Sequence, residues 1–218
     1  METSEEKTYQ KLKNYILDSE FPVGEALSQR MLAAKTGAVV ITVRSCLRRL
    51  ENEGLIENIP GWGVRIPIDT PEIIKDRYFI REVIECAALK RLRENYSEEY
   101  KNLLVIAADK CDLLKINQPG SYRKFAEVHM KYHSLIAQLS GSKMLVKVLN
   151  QANLRSILLY NAKRIWEEEV DGKVNEDDKN HHKKYTEYIL EEPIDKAMEA
   201  VRHHIKNGLE DELRFFDF

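Results

Sequence analysis

The chain has 218 residues, 43% hydrophobic and 32% charged, with only 9 glycines and 6 prolines. That length holds one large domain or two modest ones, and the scarcity of breakers argues against an all-β sandwich, a collagen-like fibre or a disordered chain. The 34 basic residues against 36 acidic ones leave a net charge of −2, an average that by itself argues against nucleic-acid binding.

No apolar run approaches the roughly 18 residues of a membrane span, and Met1–Lys7 lacks the basic-then-apolar profile of a signal peptide. A cytoplasmic protein with no membrane partner is expected. Cys46, Cys86 and Cys111 are far apart and in no CxxC pairing, which fits reduced thiols.

From the N-terminus, Thr8–Ser19 places Leu12, Tyr15, Ile16 and Ser19 on one helical face. Ser28 is a candidate N-cap for a short helix, Gln29–Thr36, that carries Met31 and Leu32 inward and ends at Gly37. A third helix runs from about Ile41 to Glu53, with Val43, Leu47 and Leu50 as its inner face, and stops at Gly54. Leu55–Ile59 and Val64–Pro67 read as two strands joined by the Gly61-Trp62-Gly63 tip. Three helices and a β-hairpin make a winged helix-turn-helix. Between Ala26 and Leu50 the charged residues are Arg30, Lys35, Arg44, Arg48 and Arg49, with no acid among them. Arg44 and Arg48 share the outer face of the third helix, which gives it the chemistry of a major-groove reader. An ordinary solvated face is the weaker reading in a chain this rich in acids.

Pro67 and Pro71 forbid helix continuity and set the expected domains at 1–69 and 70–218. Six helices are expected after them: Glu72–Asn95, Glu98–Ile116, Tyr122–Leu139, Lys143–Glu168, Asp178–Glu191 and Ile194–Arg214. Stripes such as Phe79/Val83/Ala87 and Leu103/Ala107/Leu114 suit the core of an antiparallel bundle. The fold class is therefore mostly α, a winged helix-turn-helix followed by a six-helix bundle. All 6 histidines fall in the bundle: His129 and His133 at i, i+4, then His181-His182 and His203-His204. Imidazoles gathered from three helices are a metal-site arrangement, and solvated pairs on helix faces are the bland alternative.

Residues 10–66, with Leu27-Ser28, Leu32-Ala33, Gly37, Val43-Arg44, Leu47-Arg48-Arg49-Leu50, Glu53-Gly54-Leu55-Ile56 and Pro60/Gly63, resemble the DNA-binding domain of the GntR family of bacterial transcription regulators. The resemblance implies DNA contacts from Arg30 and Arg44, with Thr42, Arg48 and Arg49 beside them, and a wing tip Gly61-Trp62-Gly63 near the minor groove. Where that family carries a small capping hydroxyl, an Arg and Thr-Pro, this chain has Val39-Val40-Ile41-Thr42. The helix therefore lacks a cap worth on the order of 1 kcal/mol. Val39–Ile41 either meet thymine methyls or pack on the second helix.

Tyr132-His133, Leu139-Ser140-Gly141, Leu145, His182 and Ala197…His204-Ile205 resemble the FCD ligand-binding domain, in its six-helix, VanR-like branch. The resemblance implies a metal held by His133, His182 and His204, with His129 at the position of the family's Asp, where it either ligates or swings away to leave a three-His site; His181 and His203 read as solvated neighbours. Four imidazoles favour Zn²⁺ or Ni²⁺ over Mn²⁺. It also implies a small carboxylate effector, with Arg81 at a position that can pair with it; an i, i+4 ion pair between Arg81 and Glu85 is the equal alternative. The function implied is a ligand-responsive, homodimeric transcription regulator on a palindromic operator, a repressor released by a small organic acid bound at the metal site. A metal-responsive regulator and, in another class, a metal-dependent hydrolase are the alternatives. The sequence holds no HExxH and no nucleophile elbow, which weighs against hydrolysis.

Overall fold

The computed structural model describes residues 3–114, 121–171 and 182–213, and in the middle stretch the side chains of 123–158. The chain divides into two compact units, Met1–Asp69 and Thr70–Phe218.

The first unit holds α1 (Ser4–Leu17), α2 (Gln29–Thr36), α3 (Val40–Asn52) and the antiparallel pair β1 (Glu57–Ile59) and β2 (Gly63–Arg65). α1 starts four residues earlier than the apolar pattern suggests. Thr3 caps it by accepting from the Glu6 amide, and two acids in the first turn suit the helix dipole. It also ends earlier: Asp18 is the C-cap and Ser19 has φ 57, so Ser19 is not on the helical face. The buried stripe is Tyr9, Leu12, Ile16 and Leu17.

Ser28 caps α2 through the Met31 amide, and Gly37 closes it in the left-handed conformation, φ 73. Met31 does not point inward; it is 39% exposed, and Leu32, Ala33 and Thr36 are the buried side chains. Val43, Leu47 and Leu50 of α3 are buried as their spacing requires, with Cys46 beside them. α1 and α2 pack on α3.

The hairpin pairs Glu57 with Arg65 and Ile59 with Gly63, in strands shorter than the expected ones. It is tied down by a bridge between Leu27 and Val64, whose amides and carbonyls exchange hydrogen bonds at 2.6 and 3.1 Å. Gly63, at φ +118, lies against this bridge, and a Cβ there would run into the carbonyl of Leu27.

The second unit consists, among the described residues, of α4 (Pro71–Glu94), α5 (Glu98–Asp112), α6 (Ser121–Leu139), α7 (Lys143–Asp171), α8 (His182–Glu191) and α9 (Ile194–Leu213). Thr70 and Ser97 cap α4 and α5, and Pro71 sits in the first turn of α4 where its missing amide costs nothing. α5 ends at Asp112 rather than Ile116. The expected break 117–121 falls mainly outside the described residues, as do the expected helix start 178–181, His181, and most of the acidic loop 169–177.

α4 packs on α9 and α6, α6 on α7, and α8 on α5 and α9. Two predicted core stripes are misplaced. Phe79 is 66% and Val83 54% exposed, because α4 buries Ile74, Tyr78, Ile84, Ala88, Leu89 and Leu92 instead. On α5 the inner face is Leu104, Ala108 and Cys111, one residue on from Leu103 and Ala107 and away from Leu114; Leu103 is 42% exposed. Each helix carries apolar residues on both sides, so periodicity alone leaves two phases open and packing selects one.

Gly63→Ala is expected to lower unfolding stability by roughly 1–3 kcal/mol through backbone strain, before any clash is counted. Urea titration followed by tryptophan fluorescence checks it, and an unchanged midpoint would remove the argument that the wing needs glycine there.

Candidate functional site

On the first unit, the outer face of α3 carries Ile41, Arg44 and Arg48, spaced i, i+3, i+7 and all exposed. Arg44 Nε donates to Gln29 Oε1 at 3.3 Å, which joins α3 to the start of α2, where Arg30 is also exposed. Arg49 is differently placed. Its guanidinium donates to Glu6 at 2.7 Å, lies 3.6 Å from Glu53 and stacks 3.5 Å over the Tyr9 ring. Arg49 thus spends its charge holding α1 to α3, unlike Arg44 and Arg48.

No side chain caps α3. Val39 and Ile41 are each 66% exposed and Val40 37%, so they do not pack on α2. Thr42 is half-buried in the first turn, its amide donating to the Val39 carbonyl at 3.0 Å. Gly61 (φ +79) and Gly63 form the hairpin tip, and Trp62 between them is 75% exposed. A basic helix face, an exposed apolar helix start and a projecting indole share this unit.

In the second unit the four histidines that the FCD resemblance implies come together. His129 and His133 from α6, His182 at the start of α8 and His204 from α9 offer ligand atoms within 4.8 Å of one another. His133 Nε2 lies 3.0 Å from His129 Nε2 and 3.2 Å from His204 Nε2. Nitrogens about 2.0–2.1 Å from a tetrahedral Zn²⁺ are about 3.3 Å apart, so the two separations at His133 suit one ion, within a set that spreads to 4.8 Å. His203, one residue before His204 on α9, is exposed and lies against Asn207 instead.

Each ring is set by a partner. Asp112 of α5 accepts from the amides of His182 and Lys183 at 2.9 and 3.0 Å, capping α8, and its carboxylate lies 3.4 Å from His182 Nδ1. Thr186 ties Tyr132 to the same turn: its hydroxyl is 2.8 Å from the Tyr132 hydroxyl and donates to the His182 carbonyl at 2.7 Å. Tyr185 stacks on His204 with centroids 4.7 Å apart, and Phe125 flanks His129 at 5.6 Å. On the far side His133 Nδ1 meets Glu85 Oε2 at 2.6 Å. Arg81 donates to Glu85 Oε1 from both Nε and Nη2 at 3.2 Å, so its guanidinium is engaged by the ion pair.

Burial pushes the Glu85 carboxyl up, but the pull of His133 and then of Arg81 outweighs it and holds the group at about 2. In the metal-free chain burial and the neighbouring imidazoles hold His129 and His204 well below the ordinary histidine value. Both rings are therefore neutral near pH 7, the form that ligates a metal. Spacing and the FCD resemblance gave the histidines, but not Glu85 as a partner of His133, nor Asp112. Both contacts join helices far apart in sequence, and no local pattern announces them.

Residues 4–66 match the bacterial regulatory proteins of the gntR family, and residues 76–207 match the FCD domain. The chain belongs to the GntR family and carries an FCD domain after its winged helix. The match to an HTH-type transcriptional regulator in an unstable DNA locus of Streptomyces ambofaciens is 34% identical over 41% of this chain and 38% of that one. The match to the HTH-type transcriptional regulator YdhC of Bacillus subtilis is 24% identical over 66% of this chain and 64% of that one. The chain thus spans less than two thirds of these curated relatives. Among solved structures, E. coli McbR/YncC has TM-score 0.69 at 17% identity, covering 98% of this chain and 97% of that one. A GntR transcriptional regulator from Rhodococcus sp. RHA1 has TM-score 0.64 at 20% identity, with 97% of each chain covered. These two share the fold. The matched families and relatives are transcriptional regulators, not enzymes, so the hydrolase alternative has no support among them.

The depressed histidines fix the sign of a pH dependence. The unfolded chain takes up protons on these rings near the ordinary value, while the folded GntR chain does so only at lower pH. Stability is present above the ordinary value and is lost as pH falls through it. In excess chelator, the melting temperature should fall from pH 7 to pH 5, with a shallower slope for His129→Asn; equal slopes would contradict the argument.

Proposed function

We propose that this chain is a cytoplasmic, homodimeric, DNA-binding transcription regulator, a repressor released when a small organic acid binds at a metal site in residues 70–218. The observation that carries the reading is the pairing in one chain of an acid-free basic helix face with a converging set of four imidazoles. Among the described residues no helix is long and apolar enough to cross a membrane.

DNA contact is assigned to Arg30, Arg44 and Arg48, with Thr42 and the wing tip Gly61-Trp62-Gly63. Arg49 is placed in a supporting role, because Glu6, Glu53 and Tyr9 already hold its charge. Exposed Val39 and Ile41 offer apolar contact to thymine methyls at the major-groove edge. A palindromic operator follows from two copies of one reader. An apolar strip on α4, with Phe79 66%, Val83 54%, Ile73 48% and Ile80 45% exposed, supports the dimer. Arg44→Ala is expected to cost roughly 1–3 kcal/mol of affinity for an operator selected from random duplexes. Unchanged affinity in a gel-shift titration would sink the assignment.

The metal assigned is Zn²⁺ or Ni²⁺, borderline ions suited to imidazole nitrogen, held by His129, His133, His182 and His204. When bound it would supply a Lewis-acid centre for an effector carboxylate. Arg81, engaged by Glu85, is not required to clasp that carboxylate. Native-state binding at a thousandfold excess over Kd stabilises by about 4 kcal/mol. Dialysed protein should therefore contain about one transition metal per chain and melt at lower temperature in chelator. Protein without metal, with a melting temperature indifferent to added Zn²⁺, would refute the site.

One observation favours a second reading, in which the metal is itself the signal. Four imidazoles can fill a tetrahedral zinc shell and leave no position open for an acid. Operator affinity that responds to Zn²⁺ with no carboxylate present would select this reading over the first.

A further inference from the structure

We infer that Glu85 is a positioning residue of the histidine cluster: it fixes His133 as the Nδ1–H tautomer, so that the Nε2 lone pair faces the cluster, and Arg81 holds Glu85 in place. The inference rests on the metal reading for its purpose, but its geometry stands without a metal.

Glu85, His133 and Arg81 are 1%, 0% and 3% exposed, so water does not compete for their hydrogen bonds. An ionised carboxylate only accepts, so the 2.6 Å contact from Glu85 Oε2 requires the proton on His133 Nδ1. A neutral ring then has a bare Nε2, and this atom lies 3.0 and 3.2 Å from the Nε2 atoms of His129 and His204. With the tautomer reversed, Nε2–H would point into the cluster and its lone pair would face a buried carboxylate. Glu85 therefore selects the ring state that can ligate, and a carboxylate behind the imidazole makes it a stronger donor.

Arg81 prevents rotation of this carboxylate. Both Nε and Nη2 hold Oε1, so Oε2 remains for His133, and Tyr78 packs 5.0 Å from the guanidinium. Arg81 and Glu85 are one helical turn apart on α4, while the histidines are on α6, α8 and α9. The cluster is thus supported by a helix that contributes no ligand to it. This places a carboxylate one hydrogen bond behind an all-imidazole set, rather than within it.

The test uses the full chain, stripped of metal with chelator, at pH 8. Two-dimensional ¹⁵N-histidine spectra report the tautomer, the His133 signals being assigned by their loss in His133→Gln. The wild type should show His133 as Nδ1–H. Glu85→Leu should shift it to Nε2–H or a mixture, and lower affinity for Zn²⁺ alone roughly 10–100-fold. Glu85→Gln, which keeps an acceptor oxygen, should retain the tautomer with a smaller loss, and it carries the test if Glu85→Leu does not fold. For Arg81→Met the tautomer should become mixed. A wild-type His133 carrying Nε2–H, or a tautomer indifferent to Glu85→Leu, overturns the inference. If the tautomer responds as expected but the wild type binds no Zn²⁺, the positioning role holds and the metal reading falls.

Discussion

The bundle is organised around a hydrogen bond between two groups that are wholly buried, the Glu85 carboxylate and the His133 imidazole. A buried carboxylate is costly unless it is paired and its oxygens are satisfied. Here one oxygen faces Arg81 and the other His133, so that both are used. Around this pair the remaining elements follow: α4 must lie beside α6 to make the contact, and α8 and α9 must bring His182 and His204 to the open side of the ring. Asp112 completes the arrangement from α5 by capping the first turn of α8, which sets the position of His182. A shift of any of these helices by a residue would leave a charge or an imidazole buried without its partner.

The first unit solves a different electrostatic problem. A run of five basic residues without an acid repels itself, and the fold divides them by role. Arg49 is turned toward Glu6 and Glu53 and covers the Tyr9 ring, while Lys35 pairs with Glu20. Arg44 and Arg48 remain on the outer face of α3. The near-zero total charge is therefore a sum over surfaces of opposite character, with acids from α1 and the loop after α3 neutralising the supporting cation rather than the reading face. The missing N-cap hydroxyl on α3 has a related logic: Val39 and Ile41 project from the helix start as exposed apolar groups where a polar cap would otherwise sit.

Element order was legible because its signals are local, and the histidine set because it matches the FCD pattern. Ser28, Gly37, Gly54 and Pro71 act on their own backbone, and a residue's conformational preference is present before any packing. The start of α1 was legible too, in Thr3 and Glu6 at capping-box spacing, but the apolar pattern drew the boundary to Thr8. Misplaced stripes had a different cause. α4 has apolar residues around most of its circumference, and Phe79, Val83 and Ala87 share a face as well as Ile74, Tyr78 and Ile84 do; burying Arg81 and Glu85 toward the histidines fixed the rotation. Met31 was displaced for a similar reason, since Leu32, Ala33 and Thr36 already fill the inner side of α2.

By itself the sequence determined that the chain is mostly helical, that a basic three-helix unit with a hairpin precedes a helical region, and that the imidazoles belong to the latter. These follow from composition, capping and spacing, which act over a few residues. Only the tertiary structure decided that Arg81 faces Glu85, that Glu85 faces His133, that Arg49 is a scaffold charge, and that Val39 and Ile41 are exposed. Those outcomes depend on which of several chemically acceptable partners lies within about 3 Å once the helices are packed, and that choice is made by the burial of the whole chain rather than by any segment of it.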